Sequence, residues 1–159
     1  MDDAFTSRLE ITYGPAELVD PVGSVGFAGG LGAEPGPPVS LDLHPILRDF
    51  AHSTDSASHQ AWLTGLTWTA HLRDSMVTVT VTGSVPDGSS VGFGIPDGPA
   101  ASRLAAAADR LQDFVVEHLR IGLPPVPGTA RPAHALLHDG EALWADDRTP
   151  WSCLIGSYL

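Results

Sequence analysis

Lysine does not occur in this chain, and neither does asparagine. All eight basic side chains among its 159 residues are arginines. Without lysine there is no Schiff-base amine, no phosphate-gripping lysine of a P-loop and no β3 lysine of a protein kinase, so those three chemistries are excluded. The joint absence fits a GC-rich coding sequence and, with it, a bacterial source. Cysteine is nearly missing too. The single Cys153 rules out an internal disulfide framework and fits a reducing, cytoplasmic setting. No apolar run approaches the ~18 residues of a membrane span. The opening residues "MDDAFTSRLEITYG" have neither the basic nor the apolar region of a signal peptide.

Positive charge is scarce. Eight arginines face nineteen acidic residues, a net charge of −11. The arginines are scattered and form no basic stripe. Such a chain repels phosphate backbones and anionic lipid, so neither nucleic acid nor a membrane is expected as a partner. What is present is a folded composition, 43% hydrophobic and 17% charged. The length predicts a single domain over 1–159, able to bury roughly 70% of its unfolded surface without a staple.

Periodicity then places the elements. "SRLEITY" (7–13) reads as a strand, and 14–38 as a Gly/Pro-rich loop region, with twelve glycines or prolines in twenty-five positions and one short strand in it at "SVGFA" (24–28). "LDLHPILRDFAH" (41–52) predicts a short helix with Pro45 in its first turn, and 53–65 a second. "LTWTAHL" and "MVTVTVT" alternate strictly, so Leu66, Trp68, Ala70 and Leu72 share a face, as do Val77, Val79 and Val81. "SSVGFGI" follows between two Pro-Asp-Gly turns and completes a meander over 66–95. Residues 99–121 predict the one long helix, capped by Asp97 or Gly98 and ended by Gly122. A stiff connector, 122–132, leads to the hairpin "AHALLH-DG-EALWA" and a closing strand in "WSCLIGSYL". The fold class is therefore α+β: an antiparallel β-sheet of about five to seven strands with its central meander at 66–95, packed by one long helix at about 99–121, with one or two short helices in 44–62.

Several motifs invite a chemical reading. Gly88-Ser89-Ser90-Val91-Gly92 has the spacing of a serine-hydrolase elbow, but Pro96 forbids a helix starting at Ser90, which leaves Ser90 in a strand. The glycines of "GFAGGLG" (Gly26, Gly29, Gly30, Gly32) lack the fingerprint of a nucleotide loop. Asp49, His52, Asp55 and His59 would span about 120° of one continuous helix and offer metal ligands, with His52, Asp55 and His59 the candidates. The intervening "STDSAS" favours turns and caps, and no metal or other cofactor is predicted. His134 and His138 stand about 13 Å apart on a strand, too far to share an ion. Cys153 would be a nucleophile if His138 and Asp139 approached it; otherwise it is a small hydrophobe beside Trp151. His118 falls near the apolar side of the long helix, where a backbone carbonyl would satisfy it.

Two functional readings follow. The first is a non-catalytic accessory or protein-interaction domain, binding another protein through the Trp144 and Trp151 rings beside a polar turn. The second is a small enzyme or small-ligand-binding α+β cup, with His118, His71 or Cys153 in a pocket between helix and sheet, and His138 a further catalytic candidate.

Overall fold

Strict alternation makes Thr67–Arg73 (β1) and Met76–Thr82 (β2) an antiparallel hairpin. Trp68 lies opposite Val81, Ala70 opposite Val79 and Leu72 opposite Val77, so the apolar partners share one face as the pattern predicts. Asp74 and Ser75 both take positive φ (49° and 65°), the geometry of a primed two-residue turn. Ser90–Pro96 (β3) pairs with β2 and brings Val91, Phe93 and Ile95 opposite Val81, Val79 and Val77. Ser90 is the first residue of that strand, opposite Thr82, and not the tip of a bend.

The computed structural model of the chain describes residues 34–83 and 90–159. These fall within one unit, Gly32–Leu159. The expected strands at 7–13 and 24–28, the loop region up to 33 and the turn at Pro86-Asp87-Gly88 lie outside the described residues.

Two short helices precede the hairpin. His44–His52 (α1) carries Pro45 in its first turn and buries Ile46, Leu47, Asp49, Phe50 and Ala51. Ser53 closes it, and Ser56 opens Ala57–Thr64 (α2) by accepting a hydrogen bond from the His59 N–H at 3.3 Å. Serines at 53 and 56 therefore mark the break between the two short helices that the sequence predicts.

Ala100–Leu119 (α3) is the long helix. It buries Ala105, Ala107, Ala108, Leu111, Phe114 and Val115. Neither of its predicted caps is used. Asp97 turns its carboxylate to the Gly98 N–H at 2.9 Å, and Pro99 occupies the N-cap without a side-chain bond. At the other end Arg120 takes the left-handed conformation, φ 59°, two residues before the glycine expected there.

His134–His138 (β4), Glu141–Ala145 (β5) and Ser152–Leu154 (β6) follow. They form a second sheet in the order β4-β5-β6, separate from β1-β2-β3. The architecture is α+β as expected, with six described strands, but in two three-stranded sheets and not one. The reason is local. Each sheet pairs strands that are neighbours in sequence, and α3 packs against β3 of one sheet and against β4 and β5 of the other. One hydrophobic cluster joins all of it, from Leu43 and Phe50 through Val79 and Leu111 to Trp144 and Tyr158.

The connector is folded back and not stretched. The Val126 N–H donates to Arg131 O (2.7 Å), and the Gln112 amide donates to the carbonyls of Leu123 and Ala133 (3.0 and 2.6 Å). No described helix is long and apolar enough to cross a membrane.

Candidate functional site

A cleft of about 470 Å³ lies between α1, α2 and the start of β1. Its floor is apolar: Leu47 and Ala51 from α1, Leu63 from α2 and Leu66 before β1. Its size falls within the range of ligand-binding pockets, roughly 300–1,000 Å³. The rim is polar. His44, Arg48 and His52 line it from α1, and Gln60 and Thr64 face them from α2. Spacing of four along α1 places the three basic residues on one arc beside Leu47 and Ala51.

Several rim groups are already held. The Asp42 carboxylate bonds His44 twice, at its backbone N–H (3.0 Å) and at Nδ1 (2.7 Å). The backbone bond is the main cause that keeps the Asp42 carboxyl below its ordinary range. The His44 ring stands edge-on to Trp68, centroids 4.8 Å apart, and the Trp68 indole N–H donates to Leu41 O at 2.9 Å. The Gln60 amide donates to Thr54 O at 2.7 Å. Arg48 donates to the carbonyl of Gly156.

On the opposite side of α1 lies a buried polar cluster. Asp49 is fully buried. Its Oδ2 accepts from the Trp144 indole N–H at 2.7 Å and from the Gly156 N–H at 2.5 Å, and its Oδ1 accepts from the Tyr158 N–H at 3.2 Å. Three donors from the C-terminal segment thus converge on one side chain of α1. A buried carboxylate with both oxygens bonded to the chain is a structural clasp.

The residues singled out from the sequence do not come together in one place. His118 spends Nδ1 on the Phe114 carbonyl of its own helix (3.0 Å) and stacks on Trp62 at 5.2 Å. Cys153 lies across from Trp144, whereas His138 is the last residue of β4, opposite Glu141. Pairing register sets Ala135, Trp144 and Cys153 on one face and His138 on the other, so His138 and Cys153 point apart. Burial pushes the Cys153 thiol above its ordinary value, and the nearby Asp49 charge pushes it the same way. Such a thiol stays protonated at neutral pH and is a poor nucleophile. His71 is drawn to the Gly36 carbonyl at 3.0 Å.

Of the metal candidates, His52 ends α1, Asp55 lies in the break and His59 opens α2, with its Nδ1 buried and unpaired. Among the described residues no three His, Cys, Asp or Glu side chains are arranged to hold a metal ion. Trp144 requires a correction: it is fully buried, with its N–H on Asp49, and a buried ring offers nothing to a partner. Trp151 is half-buried and edge-on to Tyr158 at 6.2 Å. A second cleft, of about 340 Å³, lies between α3 and the connector, beside a His134–Asp147 pair at 3.0 Å.

Comparison of the chain with protein-family models, with curated proteins and with solved structures finds no match. The α+β fold and the α1–α2–β1 cleft are what define the molecule.

Proposed function

We propose that the chain is a non-catalytic protein-interaction domain and that its docking site is the α1–α2–β1 cleft. The observation that supports this reading is the cleft itself, an apolar floor drawn from three elements beneath a polar rim. The catalytic candidates lend the enzyme reading no support. Burial pushes the Cys153 thiol up, His138 faces away from it, His118 is committed to its helix, and none of the three lines the cleft.

The test is a bulky substitution on the cleft wall. Thr64 is exposed on α2, where Thr64→Trp fills the opening without entering the core. The immobilised full chain is expected to retain one defined partner from its native host that Thr64→Trp loses, with both proteins melting alike. Retention unchanged by Thr64→Trp, but lost on Trp151→Ala, moves the interface to the C-terminal hairpin and contradicts the proposal.

A further inference from the structure

The ionisable side chains that line the cleft are all basic, His44, Arg48 and His52, with no carboxylate among them. This stands out in a chain whose net charge is −11. The His44 ring is already bonded to Asp42, whereas Arg48 and His52 have no ion-pair partner among the described residues. Arg48 carries a guanidinium, a planar cation with five N–H donors. Its bond goes to an uncharged acceptor, the Gly156 carbonyl, and among the described residues no carboxylate stands within ion-pair distance of it. Asp42 lies near enough for Arg48 to lower its pKa, but its carboxylate is bonded to His44. Asp49, next to Arg48 in sequence, is bonded to three N–H groups, that of Gly156 among them, while Arg48 holds the carbonyl of the same residue. His52 is exposed.

Resting on the docking role proposed above, we infer that the cleft takes a short segment of the partner protein that sets one bulky apolar side chain beside an Asp or Glu. The apolar side chain enters over Leu47, Ala51, Leu63 and Leu66. The carboxylate meets the Arg48 guanidinium, whose planar fork matches it in two parallel bonds. Charge complementarity selects this occupant: a basic segment would set like charge against Arg48, and an uncharged one would leave the guanidinium with no opposite charge to meet. An acidic molecule thus selects an acidic segment, because the ionisable side chains lining the cleft are themselves basic.

Selection of peptides from a random display library on the immobilised full chain, followed by titration of the enriched peptides, tests this. The enriched peptides are expected to carry Asp or Glu next to Leu, Ile, Phe or Trp. Their binding is expected to weaken by about tenfold or more in Arg48→Glu and in His52→Glu, and to be lost in Thr64→Trp. Arg48 also holds Gly156, so His52→Glu decides the matter if Arg48→Glu melts early. Basic or uncharged peptides that Thr64→Trp still blocks overturn the charge assignment and leave the docking site standing. Peptides indifferent to Thr64→Trp, or no enrichment at all, overturn the docking site and the inference together.

Discussion

Asp49 is the residue on which the described unit turns. A carboxylate inside an apolar cluster is costly unless its oxygens are bonded, and here three N–H groups bond them. Removing the acceptor strands those donors in the core. Asp49→Ala is expected to lower stability by about 3 kcal/mol or more, on the scale of 1–3 kcal/mol per stranded buried group. Trp144→Phe, which deletes one donor and keeps most of the ring, is expected to cost about 1–2 kcal/mol. Denaturant midpoints of the two variants check the order, and an Asp49→Ala protein as stable as wild type contradicts it.

Cys153 and Tyr158 sit near the same clasp. Both have their pKa raised, first by burial; the Asp49 charge adds to this for each, and Cys153 acts on Tyr158 as well. A group whose pKa is higher folded than unfolded binds its proton more tightly in the folded state. Its contribution is whole below the unfolded value and is lost as pH rises through the folded one. Stability is therefore expected to fall on the alkaline side, starting above the ordinary thiol value of about 8.5 and continuing past the phenol value of about 10. Melting temperatures across that range check this, and Cys153→Ala is expected to flatten the first part of the decline.

At the scale of elements, turns rather than strands carry the sharpest demands. Gly140 closes the β4–β5 hairpin at φ +81° with open space around it. Gly156 sits at φ +97° with Pro45 Cβ and Arg48 Nη2 only 3.0 and 3.1 Å from where a Cβ would stand. Gly140→Ala is expected to cost about 1 kcal/mol through backbone strain alone. Gly156→Ala is expected to cost clearly more, because strain and a clash act together at the clasp. Equal losses for the two variants would count against that account.

The elements were also the most legible part of the sequence. Period-two alternation marked β1 to β3, the Asp139-Gly140 pair marked the C-terminal hairpin, and the apolar stripe with its proline and glycine flanks marked α3. Helix boundaries shifted where side chains chose other partners, as Asp97 and Arg120 did. The split into two sheets was not legible, since local periodicity does not say which strands pair at a distance. Asp49 was legible in part. Its place between Leu47 and Phe50 on a largely buried helix is a signal, but it looked like a metal ligand because its three partners lie about a hundred positions away. The cleft was hidden for the same reason, although the four-residue spacing of His44, Arg48 and His52 stood in plain view.

At the scale of the described unit, α1 joins two structures. Asp49 ties the helix to the C-terminal segment, Arg48 adds a bond to the Gly156 carbonyl there, and His44, Arg48 and His52 line the rim of an apolar cleft. A firmly held helix keeps that rim in place before any partner arrives, and preorganisation of this kind favours binding by cutting its entropic cost. The direct measurement is nuclear magnetic resonance mapping of the full chain titrated with a peptide enriched on it. The account predicts that the signals that move are those of Leu47, Ala51, Leu63, Leu66 and the Trp68 indole. Shifts confined to Trp151 and the β4–β6 sheet, with those five unmoved, would contradict it.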